Sequence, residues 1–478
     1  MRTKLLTLAV ALALGACSFI PEYQRPAAPV PEAWPTPGVG AGEAPAQQGG
    51  RAKNALLTAA DGGTAISSDW RKLYADPRLQ ELIAAALEHN RDLRISLARV
   101  DEARAQAGIA RADRFPQLDL AAQRAASLTP ADLSGTGRQL NAQRYDVSLG
   151  TSAFELDFWG RVKSLDEAAR AAFLASEFAQ RSFRLALVSD VASAYFNGIE
   201  LQERVAIAAA TLSSRAESRR LIAARRDVGV AGDLDVLAAD AAMQATRAEL
   251  ANLTRQSAAA ENALGLLVGG SPALPVGKML EQQALMADVP VGLPAEALLG
   301  RPDVLAAEQR LLAANANIGA ARAAFLPRIL LTAALGTASR SLAGLFDAGS
   351  GAWSFSPVLR YPLFDAGRSQ GNVDLAEARK TIAVADYEKT LQQAFREIAD
   401  LLAAREQYAE QLAAQEAATK AQGERQRMVE ARHNAGLSSY LELLDAQREY
   451  FAAQQSALAI RRLQLTNTAS LYKALALY

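Results

Sequence analysis

The sequence predicts a mainly α-helical protein with a small β part and a two-fold internal repeat. Residues 131–271 and 363–478 contain no proline and are rich in Ala, Leu, Glu, Arg and Gln, which is typical of long helices. Between the helical runs, short segments alternate apolar and polar residues with period two, which indicates strands. Gly160 and Gly229 each have a matching glycine 207 positions later, within motifs that occur twice in the same order. We therefore predict a duplicated unit.

The N-terminus predicts export from the cytoplasm. Residues 1–16 have the basic start and short apolar run of a signal peptide, and the run is too short to cross a bilayer. Cys17 is the only cysteine, so the chain forms no intramolecular disulfide. The preceding Leu-Gly-Ala is similar to the bacterial lipobox, which implies acylation of Cys17, and Ser18 implies sorting to the outer membrane. We predict that residues 17–68 form a lipidated, Pro-rich, extended and solvated tether.

We divide the remaining chain into repeat one, 69–290, and repeat two, 291–478. In each repeat a helix ends at a proline, strands follow, and a long helix and a shorter helix form an antiparallel hairpin. The predicted hairpin helices cover 161–228, 233–267, 368–433 and 439–475. At 1.5 Å per residue each long helix spans about 100 Å. The helix lengths also predict that the two shorter helices of a repeat stack end to end beside the long one.

Strands are predicted near 116–158 and 328–364. In the first repeat, the apolar face of one strand carries Tyr145, Val147, Leu149 and Ala153. Its polar face carries Asp146, Ser148, Gly150 and Ser152. A transmembrane barrel needs strands of about 10 residues, apolar outside, and a closed sheet. Four strands cannot close alone, so a membrane barrel requires several copies; a hairpin lying on a soluble core is the alternative.

Composition argues against several other functions. The chain has 51 basic and 51 acidic residues, so it carries no electrostatic signature for nucleic acid. Its two histidines, His89 and His433, are far apart in sequence and encode no histidine metal cluster. GxSxG, Walker A and HExxH motifs do not occur. We predict no enzyme activity, no cofactor and no metal site.

The motifs resemble the TolC-type outer-membrane efflux channels, specifically the OprM-like (NodT-type) lipoprotein branch. The resemblance rests on "FELDFWGRVKSLDEAA", "YLELLDAQREYFAAQQSAL", the doubled strand and helix order and the lipobox at Cys17. It implies a homotrimer in which four strands per chain build a 12-stranded transmembrane β-barrel continuous with a periplasmic α-barrel. It also implies a passive exit duct for small molecules such as drugs, in the outer membrane of a Gram-negative bacterium. The implied partners are a periplasmic adaptor (membrane fusion) protein, an inner-membrane RND-type transporter and outer-membrane lipid.

The resemblance also implies where the channel closes. In the family the pore narrows at the periplasmic tip, and the matching positions here are Leu441, Asp445 and Arg448. Glu442 and Asp235 match acidic positions near the pore. Three Asp445 carboxylates around one axis would repel each other, which favours partial protonation or a bound cation.

Local sequence offers simpler roles for some of these residues. "SYLE" at 439–442 indicates a capping box with Ser439 as N-cap and Glu442 at the third helical position. Asp445 and Arg448 have the spacing of an ion pair on one helix face. His433 and Ser438 stand where TolC itself uses a Tyr and an Arg to hold neighbouring helices, so the OprM pattern is the better match.

Two alternatives to a drug-efflux duct remain at this stage. A protein-secretion duct would have the same fold, since the helices do not specify the cargo. A non-channel periplasmic coiled-coil scaffold lipoprotein would keep its strands out of lipid. Heavy-metal export is less favoured, because the chain has only five Met and two His as soft ligands.

Overall fold

The structure, a computed structural model, describes residues 19–31, 70–270, 279–283, 285 and 295–475. Cys17, the signal peptide and most of the predicted tether lie outside the described residues. The elements are, in chain order, α1 (Trp70–Leu73), α2 (Pro77–His89), α3 (Arg91–Ala112), β1 (Asp119–Thr129), β2 (Leu140–Leu156), α4 (Arg161–Asp227), α5 (Asp233–Val268), α6 (Pro302–Ala323), β3 (Arg328–Ser339), β4 (Gly351–Arg360), α7 (Arg368–Asn434) and α8 (Tyr440–Ala474). No helix in the described part of the chain is both long enough and apolar enough to cross a bilayer.

The two long helices are equal in length. α4 and α7 each contain 67 residues, and the bounds of all four hairpin helices differ from the predicted ones by one residue at most. Each long helix follows a glycine in the left-handed region, Gly160 at φ 70° and Gly367 at φ 86°. Each is also followed by one, Gly229 at φ 79° and Gly436 at φ 73°. Glycine adopts this conformation without the strain that a Cβ causes, so it fixes where each helix begins and ends.

A hydrogen bond joins the shorter helices of each repeat end to end. In repeat one, Asn90 Nδ2, just before α3, donates to the carbonyl of Leu267 in the last turn of α5 at 2.9 Å. In repeat two, Arg301 Nη1, just before α6, donates to the carbonyl of Ala474 at the end of α8 at 2.6 Å. Both donors are buried, and both satisfy a carbonyl that a helix terminus leaves unpaired. The two shorter helices of each repeat therefore meet end to end, as their lengths predict.

Asn90→Ala should loosen the joint of repeat one. Asn90 Oδ1 also accepts from the N–H of Leu93 at 2.8 Å and so caps α3. Losing the cap and leaving a buried carbonyl unpaired should lower the local free energy of opening by about 2 kcal/mol. Hydrogen exchange at the N–H of Leu93 should then accelerate more than tenfold. Asn90→Asp keeps the capping oxygen, so the exchange rate at Leu93 should increase less in that variant. Unchanged exchange at Leu93 in the alanine variant would show that the joint contributes nothing.

Tertiary contacts divide the chain into two compact units that do not coincide with the two repeats. Unit 1 contains residues up to Ala27, Arg99–Glu177 and Leu305–Glu388; unit 2 contains Ala28–Ala98, Phe178–Val304 and Lys389–Tyr478. Each unit takes segments from both repeats, since α4 and α7 begin in unit 1 and end in unit 2. The predicted boundary at 290 and 291 therefore separates two sequence repeats and not two folding units.

Unit 2 has an apolar core built around the middle of α4. Tyr195, Phe196 and Ile199 are fully buried there, in a cluster that also includes side chains from α1, α2, α5 and α8. The Tyr195 hydroxyl donates to Asp76 Oδ2 at 2.6 Å, while Asp76 Oδ1 accepts from the N–H of Arg78 and caps α2. A buried hydroxyl and a buried carboxylate thus satisfy each other.

Unit 1 contains one antiparallel sheet with the strand order β1-β2-β3-β4. Its central row pairs four apolar residues in turn: Leu120 with Leu149, Leu149 with Leu335, and Leu335 with Trp353. All four are exposed, Leu335 to 70% and Trp353 to 77%. The sheet therefore presents an uncovered apolar face within a single chain, which is inconsistent with a hairpin lying on a soluble core.

The expected position of Ala153 on the apolar face is wrong. Ala153 has φ 52°, and the register between β2 and β3 shifts between Thr151 and Phe154. This β-bulge adds one residue to β2 and breaks the period of two. Because Thr151 pairs with Ala333 and Phe154 with Leu331, the bulge keeps the aromatic ring of Phe154 on the apolar face.

The first described residues also differ from the prediction of a solvated tether. Residues 19–31 form no helix or strand, but Arg25 makes an ion pair with Glu308 of α6 at 2.6 Å. The side chain of Glu308 is only 6% exposed. Pro-rich composition predicts an extended segment, and it does not reveal that part of this segment docks on a helix.

Candidate gate at the hairpin tips

The tips of the two helical hairpins share an apolar core. Its buried residues are Ile222 from α4, Ala239 from α5, Val429 from α7, and Tyr440, Leu443 and Ala446 from α8. Burial raises the pKa of the Tyr440 hydroxyl, and Asp235 adds to that shift against the opposing charge of Arg215. This core packs the two hairpin tips of one chain against each other, and the residues predicted to narrow the pore are close to it in sequence.

Two of the predicted gate residues act in helix capping. Asp235 Oδ2 accepts from the N–H of Gly232 at the start of α5 at 3.2 Å. The N–H of Glu442 donates to Ser439 Oγ at 3.2 Å, as the predicted N-cap requires. The carboxylate of Glu442 departs from a full capping box, because it accepts from the hydroxyl of Ser438. Both carboxylates lie in the first turn of a helix, where negative charge is favourable.

Asp445 lies between two arginines. Its Oδ2 accepts from Arg425 Nη2 of α7 at 2.6 Å, and its Oδ1 accepts from Arg448 Nη2 at 2.7 Å. The hydrogen bond from Arg425, with the nearby positive charges, holds the pKa of Asp445 below its usual range. This lowered pKa belongs to the carboxylate of one chain; the partial protonation or bound cation expected of three Asp445 carboxylates around one axis stays a prediction.

Leu441 lies one turn before Asp445 and is 72% exposed. Arg448 is exposed one turn further along α8 and makes a second ion pair with Glu449 at 3.1 Å. The structure thus brings together Asp445 and Arg448. Leu441 lies on the same exposed stripe of α8 and is not among the residues of the apolar tip core. Glu442 and Asp235 belong to the two separate caps.

Arg425 was missed by sequence reasoning. It precedes Asp445 by 20 residues and lies on the other helix of the hairpin. Only the register of α7 against α8 brings the two side chains together. A similar contact occurs in the first hairpin, although not at the repeat-equivalent positions, where Arg219 of α4 pairs with Asp240 of α5 at 2.6 Å. An arginine on the long helix opposite an aspartate early in the short helix is the signal that could have identified Arg425.

The positions corresponding to the TolC contact stabilise the turn of repeat two. His433 Nδ1 lies 3.0 Å from the carbonyl oxygen of Ser438. Its other ring nitrogen lies 3.4 Å from Arg225 Nη1 of the first hairpin. His433 therefore contacts both hairpin tips of one chain. Among the described residues, no group of three or more His, Cys, Asp or Glu is placed to hold a metal ion.

An uncovered apolar sheet and two hairpins of long helices with charged residues at their tips are features of a membrane channel protein. The family described as outer membrane efflux protein matches residues 82–270 and 293–477. The chain belongs to the outer membrane efflux protein family, and it is the outer-membrane component of an efflux system.

Individual relatives agree with this assignment over nearly the whole chain. The toluene efflux pump outer membrane protein TtgF of Pseudomonas putida is 44% identical over 99% of this chain and 97% of that protein. A crystal structure of a membrane protein from Pseudomonas aeruginosa has a TM-score of 0.85 and 40% identity, covering 96% of this chain and 100% of that one. The open state of the MtrE channel of Neisseria gonorrhoeae has a TM-score of 0.82 and 34% identity, covering 96% and 98%.

Proposed function

We propose that three copies of the chain close one transmembrane barrel and one periplasmic helical barrel. The observation that carries the proposal is the open sheet. β1 pairs only with β2, and β4 only with β3, within the described residues. Unpaired strand edges are costly in lipid, and four strands are too few for closure. Sharing the edges among three copies satisfies them and turns the apolar face toward lipid.

The proposed duct conducts small molecules passively from an inner-membrane RND-type transporter, through a periplasmic adaptor protein, to the exterior. The name of TtgF, a component of a toluene efflux pump, supports small apolar compounds as cargo. No specific observation favours a protein cargo. We assign no chemical step to the chain itself.

The test is the mass and conductance of the purified full chain. We expect a trimer in detergent and stepwise conductance after insertion into planar bilayers. A monomer that leaves the membrane intact once its acyl chains are removed would contradict the duct and support the scaffold lipoprotein.

Within this duct we propose that Leu441, Asp445 and Arg448 line the narrowest point. The exposed side chain of Leu441 and the charged Asp445 and Arg448 lie on one stripe of α8. We place Glu442 and Asp235 near the pore as capping residues that fix where α8 and α5 begin. Their substitution should change the gate through the helix starts.

We further propose that Cys17 carries a lipid anchor in the outer membrane of a Gram-negative bacterium. Cys17→Ala, exported with a conventional signal peptide, should still insert and retain part of the efflux. Acyl chains contribute about 0.8 kcal/mol per buried CH₂, but a closed barrel holds the protein in the membrane by itself. Heat-stable trimers in outer-membrane extracts and the minimum inhibitory concentration of a pump substrate measure the result. Complete loss of insertion would show that the anchor is essential for assembly.

A further inference from the structure

Within the four described strands, the apolar face of the sheet carries one arginine, Arg124 of β1. Arg124 lies directly opposite Tyr145 of β2, and its guanidinium carbon is 5.6 Å from the centre of the Tyr145 ring. Side chains alternate between the two faces of a strand with period two. Arg124 therefore shares its face with Leu120, and Tyr145 shares the same face with Leu149. The contact with the ring shows that the side chain of Arg124 also lies there.

None of the acidic side chains in the strands neutralises Arg124. The strands contain three acidic residues, namely Asp119, Asp146 and Glu155. Asp119 comes directly before Leu120 and therefore lies on the opposite face. Asp146 forms an ion pair with Arg144 on that opposite face, and Glu155 forms one with Arg161 at the start of α4. Within the described strands, Arg124 is thus a charge on the apolar face without a counter-charge.

The strands of a neighbouring copy would not supply the counter-charge. In the proposed barrel, the free edge of β1 pairs with the free edge of β4 from the next copy. Trp353 lies on the apolar face, so the same alternation places every second residue of β4 there, namely Gly351, Phe355, Pro357 and Leu359. None of these residues is charged. The lipid side of the sheet is therefore where Arg124 can find a partner.

Arg124 lies at the end of the apolar face that is farther from the helices. Its neighbour Tyr145 precedes Leu156, the last residue of β2, by eleven positions, one of which is the extra residue of the bulge. Ten steps span about 34 Å along the strand, or about 26 Å along the membrane normal at a tilt of about 40°. A lipid-facing apolar band is about 25 Å tall. The distance therefore places Arg124 at the edge of this band.

The side chains of β2 on this face change character at Tyr145. Val147, on the side of the helices, is apolar, whereas Gln143 and Asn141, on the other side, carry exposed amides. A tyrosine between apolar and polar residues is typical of a membrane interface. An arginine on a lipid-facing strand is most unfavourable at the midplane and is tolerated at the interface. The sequence of β2 and the span of the sheet thus place Arg124 at the level of the lipid headgroups.

We propose that Arg124, supported by the ring of Tyr145, binds a phosphate group on the headgroup of an outer-leaflet lipid. Stacking on the ring uses a face of the guanidinium and leaves its N–H groups free for two parallel hydrogen bonds to phosphate oxygens. A trimer would carry three such sites around its outer rim. This inference rests on the proposed function, because the sheet must lie in lipid for this end to reach the outer leaflet.

The experiment measures the binding of fluorescent diphosphorylated lipid A, a glycolipid that carries phosphate, to the purified full-length trimer in a nonionic detergent. Arg124→Gln removes the cation, and Arg124→Lys keeps the charge without the bidentate geometry. Arg144→Gln is the matched control, since Arg144 pairs with Ala125 at the same level of the sheet and contacts Asp146 on the opposite face. Dephosphorylated lipid A and inorganic phosphate, used as competitors, distinguish a lipid headgroup from free phosphate.

We expect the dissociation constant for diphosphorylated lipid A to rise roughly tenfold in Arg124→Gln, about threefold in Arg124→Lys and less than about twofold in Arg144→Gln. Dephosphorylated lipid A should compete equally weakly in the parent and in Arg124→Gln. Equal affinity of the parent and Arg124→Gln for the phosphorylated lipid would overturn the proposal. Displacement of that lipid by an equal concentration of inorganic phosphate would also overturn it, because the site would then be one for free phosphate.

Conductance separates a failure of this site from a failure of the proposed duct. Arg124 lies on the outer face of the proposed barrel, so Arg124→Gln should form trimers and conduct like the parent. Lipid binding that does not depend on Arg124, in a parent that still conducts, would contradict the phosphate site alone. A parent that forms no trimer and does not conduct would contradict the duct, and the phosphate site with it.

Discussion

Asp445→Ala is expected to raise the resting conductance of the reconstituted channel severalfold and to weaken its preference for cations. Asp445 joins Arg425 of α7 to Arg448 of α8. Removing the carboxylate breaks the charged contact across the hairpin and leaves two adjacent arginines that repel each other. It also removes a negative charge from the proposed lining of the pore. Single-channel recording and reversal potentials in a salt gradient measure both effects.

The first hairpin supplies a control. Asp240→Ala breaks a similar arginine–aspartate pair, that of Asp240 with Arg219 between α4 and α5, and we expect resting conductance close to that of the parent. Arg425→Gln should open the channel like Asp445→Ala, although it keeps the carboxylate and should therefore retain cation preference. Unchanged conductance in Asp445→Ala would remove this residue from the gate.

Acidification should reproduce the effect of Asp445→Ala only at low pH. The hydrogen bond from Arg425 lowers the pKa of Asp445. The carboxylate is therefore charged, and its arginine contacts are present, above the ordinary carboxyl pKa of about 4. These contacts are lost as the pH falls through the lowered pKa. We expect resting conductance that is constant from pH 7 to about 5 and rises only below about 4, and no such rise in Asp445→Ala.

The second large effect is expected on the apolar face of the sheet, where Leu335→Arg should abolish the heat-stable trimer. Leu335 occupies the central row between Leu149 and Trp353. An arginine at the middle of a lipid-facing strand costs about 2–4 kcal/mol per copy, and a trimer would carry three. Electrophoresis of unheated outer-membrane extracts and the yield of inserted protein measure the loss.

Ser354→Arg provides the control on the opposite face of β4. Ser354 is next to Trp353 in sequence and pairs with Ala334, so its side chain lies on the other face of the sheet. The variant therefore adds the same charge at the same level of the sheet, on the face that we propose is turned away from lipid. We expect trimers with altered conductance. Equal amounts of trimer in both variants would show that the row of Leu335 does not face lipid.

Sequence reasoning was most successful where the signal was local and periodic. The long proline-free runs and the left-handed glycines determine the helix ends, so the bounds of α4 and α7 were predicted to within one residue. The bulge at Ala153 was missed because an extra residue inverts the alternation that predicts the faces. The resemblance identified the family, and the family match confirms it.

The candidate site was predictable only in part, for a related reason. Capping by Ser439 depends on neighbours within one turn and could be read directly. The pairing of Arg425 with Asp445 depends on how two helices align, and the docking of Arg25 on Glu308 joins residues 283 positions apart. The charge pattern along a single helix does not show which residues of another segment lie opposite it, so neither contact could be predicted. The roles of Leu441, Asp445 and Arg448 in the pore stay predictions.

The equal lengths of α4 and α7 constrain how the helical part of this chain can be redesigned. One residue inserted into α4 alone would move its tip by about 1.5 Å and rotate the following side chains by about 100°. Ile222 would then leave the tip core and Arg225 would leave His433. A longer duct, built to cross a wider gap between two membranes, would need matched insertions in both hairpins, in blocks of about 18 residues that complete five turns.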